Sequence, residues 1–128
     1  MDHAELCHHE GVGLLAYSPL AAGVLTGKYL DGQMPKGSRG EFQKGVWRQH
    51  EYSTPATKAY IEVANKHGLD VAQMAIAFTL TKPFLSSVII GATNMDQLKT
   101  DIAAADLTLS PEVLADIDTV HRLYPRPI

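Results

Sequence analysis

The chain has 128 residues, of which 45% are hydrophobic and 20% charged, a composition typical of one soluble globular domain and not of a disordered or collagen-like chain. Its formal net charge of −3 argues against nucleic acid or an anionic membrane surface as a partner. No apolar run approaches the roughly 18 residues of a membrane-spanning helix, and the single cysteine, Cys7, cannot form an internal disulfide, so we predict a cytoplasmic protein.

The first part of the chain predicts a helix, a strand and a long loop. Residues 3–9 have helical character, and the apolar run 12–17 predicts a buried strand of a parallel sheet, because Pro19 cannot continue a ladder. Residues 20–53 are rich in glycine, with room for a helical turn at 24–29, and a connection of this length is usually functional or disordered. Basic residues concentrate in and beside this loop, where an anionic ligand is therefore expected: Lys28, Lys36, Arg39, Lys44 and Arg48.

The next segment predicts two consecutive helices. Thr54 followed by Pro55 is typical of a helix start, and Gly68 of its end. Asp70 and Gln73 have the spacing of a capping box that opens the second helix.

The last part predicts a second strand and two more helices. The β-branched run 85–90 reads as another buried strand. Thr93 has capping-box spacing with Asp96, ahead of a helix whose predicted inner face consists of Leu98, Ile102 and Ala105. Ser110 followed by proline opens the final helix. Two strands joined through helices form a parallel crossover, so the sequence predicts an α/β architecture.

The carboxyl ends of the two predicted strands are where a ligand is expected, because the loops of parallel sheets converge there. The first end combines the Tyr17 ring with small residues near Gly23 and with Lys28, which suits a planar ligand carrying phosphate. The second end has Gly91 and Thr93 before a helix amino terminus, which favours an anion. Taken singly, each of these features is also an ordinary structural device.

Two other functions deserve comparison with this one. His3, Cys7, His8 and His9 are close in sequence, but a solvated helix end is the favoured interpretation, and no metal site is predicted. The helix pair within residues 61–80 has the spacing of a DNA-binding helix-turn-helix. Its second helix is almost without side chains that read bases or bind phosphates, so DNA binding remains a remote alternative.

The two strand-end segments resemble the last two strands of the aldo-keto reductases, which are (β/α)8 barrels. The resemblance rests on Tyr17-Ser18-Pro19-Leu20 with residues 23–29, and on Gly91-Ala92-Thr93 with Gln97. It points to the branch of Tas-like reductases and potassium-channel β subunits. It implies that residues 1–128 are the carboxyl-terminal portion of such a barrel, with strands seven and eight, their helices and a terminal helix.

The resemblance also implies a cofactor site for NADP(H), with NAD(H) as the alternative. The ring of Tyr17 would stack on the nicotinamide, and Arg39 would approach the adenosine end. Asp101 stands where the family usually has an asparagine facing adenine, a departure that weakens the case for a 2′-phosphate pocket. The other implied cofactor residues are Ser18, Leu20, Ala22 and Lys28 around the pyrophosphate, Pro19 of the same segment, and Gly91, Thr93 and Gln97 near the adenosine phosphate and ribose.

The family's catalytic Asp, Tyr, Lys and His lie on earlier strands, so no catalytic residue is predicted in this chain. The resemblance implies that a complete family member would reduce aldehydes or ketones with NAD(P)H, and that this chain alone is inactive. The alternatives are a nucleotide-binding or association module that self-associates through exposed barrel edges, and a truncated product without activity.

Overall fold

The computed structural model describes residues 3–46 and 51–125. In chain order the regular elements are α1 (His3–Glu10), β1 (Leu14–Tyr17), two 3₁₀ segments (Ala21–Thr26 and Leu30–Gly32), α2 (Arg39–Phe42), α3 (Ser53–Lys66), α4 (Val71–Leu80), β2 (Leu85–Ile89), α5 (Met95–Ala103), a 3₁₀ turn (Ala104–Asp106) and α6 (Pro111–Leu123). The predicted order of strands and helices is confirmed. No helix among these residues is long and apolar enough to cross a membrane.

The two strands are parallel neighbours in one sheet, as predicted. Tyr17 lies beside Ile89 in the ladder, and a register shift separates Leu14 from Leu15. The prediction that both strands are buried on both faces is wrong. Leu15, Tyr17 and Ile89 are 60%, 71% and 53% exposed, because no element of the described chain covers that face of the sheet.

Helix starts follow the predicted caps at two of the four positions. The Asp70 carboxylate accepts a hydrogen bond from the Gln73 amide at 2.9 Å, and the Ser110 side chain caps α6 ahead of its first-turn proline. The predictions that Thr54 and Thr93 cap helices are wrong. Tyr52, not Thr54, precedes α3, and Asn94 caps α5 through a 2.9 Å bond to its side-chain oxygen.

The main hydrophobic core lies between α3, α4 and α6. These helices fit together because each carries apolar residues on an inward face. In α4, Met74, Ile76 and Ala77 are at most 3% exposed. A helix buried in this way cannot enter a DNA groove, so the helix-turn-helix alternative is not supported. The core cluster consists of Val63, Ala64, Met74, Ala77, Leu109, Val113, Ile117 and Val120.

The predicted inner face of α5 is only partly correct. Leu98 is half-buried, whereas Ile102 is 59% exposed. The buried residue of this helix is the carboxylate-bearing Asp101. The helix is therefore turned so that a polar residue faces the rest of the chain.

Replacing Met74 tests the assignment of the core. Met74→Ala should lower the free energy of unfolding by about 2–5 kcal/mol, because a fully buried methionine leaves a cavity. Met95→Ala is the matched control, since Met95 is 62% exposed. Urea unfolding of both variants measures the difference, and equal losses would contradict the packing described above.

Candidate functional site

A cleft of about 600 Å³ opens at the carboxyl ends of β1 and β2. Because the strands are parallel, their following loops leave the sheet at the same edge. The cleft is lined by all of the predicted cofactor-site residues: Tyr17, Ser18, Pro19, Leu20, Ala22, Lys28, Arg39, Gly91, Thr93, Gln97 and Asp101. The structure thus brings the two strand ends and the long basic loop together, while the binding of a cofactor there stays a prediction.

The loop after β1 has an unusual backbone. Ser18, Ala21 and Ala22 have φ angles of 58°, 49° and 59°, a region that residues with a side chain rarely adopt. Such strain costs on the order of 1–3 kcal/mol per residue and is concentrated at functional sites. Ala21 and Val24 are buried, so packing beneath the loop holds this conformation in place.

Lys28 lies across the backbone of this loop. A Cβ atom on Gly23 would stand 2.7 Å from Lys28 Cε and 2.9 Å from Lys28 Nζ, so a side chain there would displace the end of Lys28, and the φ of +92° also favours glycine. Lys28 Nζ is also 5.2 Å from the centroid of the Tyr29 ring, within the range of a cation–π interaction. The ammonium group is thereby held at the cleft.

Arg39 reaches the same cleft from the long loop. It is the first residue of α2, which Ser38 caps through its side-chain oxygen. Within the described residues neither Arg39 nor Lys28 forms an ion pair with a carboxylate. Both cations are therefore available to an anionic ligand.

The loop after β2 forms the opposite wall. The Thr93 amide and hydroxyl both donate to Gln97 Oε1, at 2.9 and 3.0 Å. The side-chain oxygen of Gln97 is thus occupied, and its amide NH₂ is the group left to donate to a ligand. Thr93 acts by fixing Gln97 rather than by capping the helix.

Asp101 brings a buried carboxyl group to the cleft. It is 5% exposed, and no hydrogen bond to its side chain is found within the described residues. Burial raises the pKa of Asp101, the nearby Asp70 carboxylate raises it further, and Lys28 acts in the opposite direction. The sequence predicted Asp70 only as a helix cap, whereas in the structure this residue also lines the cleft.

A second cavity, of about 670 Å³, lies at the opposite end of the strands. It is lined in part by Cys7, His8, His9 and Ser86. No group of three His, Cys, Asp or Glu side chains suited to a metal ion occurs among residues 3–46 and 51–125. None of the cofactor positions implied by the family resemblance lines this cavity, so we regard the first cleft as the functional one.

Comparison with known proteins identifies the family. The model of the aldo/keto reductase family matches residues 2–122. Protein tas of Escherichia coli is 50% identical over 125 residues, covering 97% of this chain and 36% of that protein. A probable voltage-gated potassium channel subunit beta of rice is 35% identical over 129 residues, with 91% and 37% covered. L-glyceraldehyde 3-phosphate reductase of E. coli is 38% identical over 117 residues, with 86% and 34% covered.

A solved structure supports this family assignment. A glycerol dehydrogenase from Gluconobacter oxydans superimposes with a TM-score of 0.71 at 25% identity, over 99% of this chain and 39% of that one. The chain belongs to the aldo/keto reductase family, and its fold is a portion of the family's (β/α)8 barrel. It spans about 36% of the length of the first relatives it matches.

Removing the charge of Asp101 tests the electrostatics of the cleft. A carboxyl whose pKa is raised on folding costs stability once the pH exceeds its unfolded value. Asp101→Asn should therefore raise the melting temperature near neutral pH, and the gain should disappear as the pH falls below about 4, where the unfolded carboxyl is protonated. The control is Asp96→Asn, which removes an exposed carboxylate of the same cleft. A gain that persists in acid would show that something other than charge burial is responsible.

Proposed function

We propose that this cleft binds NADP(H), with NAD(H) as the weaker ligand. The observation that carries the proposal is the convergence of every cofactor position implied by the family resemblance on one cleft at the strand ends. Family membership supports a nicotinamide dinucleotide in general. The preference for the phosphorylated form rests on Arg39, the cation expected at the adenosine end, because Lys28 would face the pyrophosphate that both dinucleotides carry.

The residues present fit such a ligand. Its phosphates need cations and close approach to backbone amides, which Lys28, Arg39 and the small residues Ala22 and Gly23 supply. Its nicotinamide needs a flat apolar surface, and the Tyr17 ring is 71% exposed at the end of β1. The ribose hydroxyls can accept from the side-chain NH₂ of Gln97.

In this proposal the chain's own residues bind and orient rather than react. Tyr17 holds one face of the nicotinamide, and Lys28 neutralises the pyrophosphate. Gly91 and Thr93 border the adenosine half, while Ser18, Pro19 and Leu20 line the wall between the two ends. The bound cofactor would supply a hydride for reduction of a carbonyl group.

We further propose that this chain alone does not reduce carbonyl compounds. The cleft residues include no Asp, Tyr, Lys and His set that corresponds to the family's catalytic positions, and Tyr17 and Lys28 match positions that the resemblance assigns to cofactor binding. Reduction of an aldehyde or ketone by a protein that contains this portion would need groups that position and protonate the carbonyl oxygen.

NADPH titration tests cofactor binding. Lys28→Ala should weaken binding about tenfold, because an ion pair or charged hydrogen bond to phosphate contributes roughly 1.5–3 kcal/mol and tenfold corresponds to about 1.4 kcal/mol. Lys99→Ala is the control, since Lys99 is exposed and lies outside the cleft. Fluorescence or calorimetry gives the dissociation constants. The absence of binding by the unsubstituted chain would refute the proposal, and carbonyl-dependent oxidation of NADPH above the blank would refute the predicted inactivity.

A second candidate function is association through the sheet. One face carries the exposed side chains of Leu15, Tyr17 and Ile89, and each strand has one unpaired edge among the described residues. Exposed apolar strands with free edges favour pairing with other strands. We propose that this apolar face packs against a second copy of the chain when no other barrel strands cover it.

Light scattering tests this association. The unsubstituted chain should form dimers or larger species, and Leu15→Ser should shift it toward the monomer because a polar side chain weakens the apolar face. Leu123→Ser is the control, since Leu123 is 69% exposed on α6, away from the sheet. A monomeric unsubstituted chain, or equal effects of both substitutions, would count against association through this face.

A further inference from the structure

Tyr29 is the largest fully buried side chain next to the cleft, and it touches both segments that carry the cations. It is 1% exposed and forms a small core with Ala21 and Val24, against which Val46 packs. This core lies beneath the strained loop and is separate from the main helical core. Packing alone would be served equally well by phenylalanine, so the hydroxyl group calls for an explanation.

The hydroxyl group reaches the long loop. The backbone amide of Gly40 donates a buried hydrogen bond of 3.2 Å to Tyr29 Oη. Gly40 directly follows Arg39, so this bond fixes the backbone one residue away from the cation. The bond joins residues 11 positions apart and thereby ties α2 to the segment that carries Lys28.

The absence of a side chain at Gly40 allows this contact. A Cβ atom there would stand 2.7 Å from Met34 Sδ, 2.9 Å from Tyr29 Cε1 and 3.0 Å from Val46 Cγ2. At distances this short, either the neighbouring side chains or the backbone of α2 must shift. A larger residue at position 40 would therefore disturb the contact between α2 and the tyrosine ring.

The ring face of Tyr29 makes a second contact, with Lys28. Lys28 Nζ lies 5.2 Å from its centroid, so the ring attracts the ammonium group through a cation–π interaction. One side chain thus contacts Lys28 with its ring and the Arg39 segment with its hydroxyl. Neither contact involves the ligand directly.

We propose that Tyr29 is a positioning residue that holds both cations at the cleft, Lys28 through its ring and Arg39 through the hydrogen bond to Gly40. The inference rests on the proposed binding of an anionic dinucleotide. It separates two effects that are experimentally distinct, because phenylalanine keeps the ring and loses only the hydroxyl.

A double-mutant cycle with NADPH tests the link to Arg39. Tyr29→Phe should weaken binding about threefold to tenfold, in line with the loss of one buried hydrogen bond. In an Arg39→Ala background the same substitution should have almost no further effect, because the residue that it positions is absent. In a Lys28→Ala background it should keep its full effect. Equal effects of Tyr29→Phe with and without Arg39 would overturn the proposal.

Tryptic cleavage after Arg39, measured without any nucleotide, tests the same link independently of binding. Tyr29→Phe should speed this cleavage because α2 is no longer held, and Gly40→Ala should do the same while the hydroxyl group is intact. Tyr60→Phe is the matched control: Tyr60 is half-buried and has no side-chain hydrogen bond within the described residues.

The two measurements distinguish the failures. If the unsubstituted chain does not bind NADPH, the proposed function fails, and the cleavage rates alone decide the role of Tyr29. Unchanged cleavage in both Tyr29→Phe and Gly40→Ala would overturn that role. Faster cleavage in both, with the control unchanged, would support it.

Discussion

The parallel pairing of β1 with β2 is the constraint on which the rest of this structure depends. The pairing sets Tyr17 beside Ile89, so that the chain leaves both strands at the same edge. The segments that follow, one strained and glycine-rich and the other leading into α5, must then face each other across a cleft. An antiparallel pair would have sent them to opposite ends of the sheet.

The pairing alone does not shape the cleft. The loop after β1 adopts left-handed backbone angles at Ser18, Ala21 and Ala22, and each is unfavourable for a residue with a side chain. These angles persist because Ala21, Val24 and Tyr29 are buried beneath the loop. The small core therefore stabilises a site geometry rather than the overall fold, which depends on the helical core around Met74.

The sequence was informative where a local signal determines a local structure. Asp70 and Ser110 are followed by the residues whose amides they cap, and both caps are confirmed. The prediction that Thr93 caps α5 was wrong because Thr93 and Asn94 are neighbours and either could cap the helix. Which of them does so depends on the hydrogen bonds that Gln97 makes with each. Competition between adjacent polar residues is not visible in spacing alone.

Burial was harder to predict than secondary structure for a related reason. The apolar runs of both strands correctly predicted strands, but the exposure of Leu15 and Ile89 depends on which other strands are present to cover them. The residues predicted from the family resemblance do line the cleft, because that resemblance is to the strand ends of a complete barrel. The role of Tyr29 was not, because its contact with Gly40 joins two parts of a loop that carries no periodic pattern.

The charges of the cleft are arranged unequally between its two sides. Lys28 and Arg39 come from the segments after β1, whereas Asp70, Asp96 and Asp101 come from the starts of α4 and α5 and from within α5. A ligand with phosphates at one position and neutral hydroxyl or amino groups at another lowers its electrostatic energy by turning its phosphates toward the first side. Asp101 is buried and has no hydrogen-bond donor among the described residues, and the nearby Lys28 offsets part of its charge. If the cleft binds a dinucleotide as proposed, its phosphates would therefore face the segments after β1.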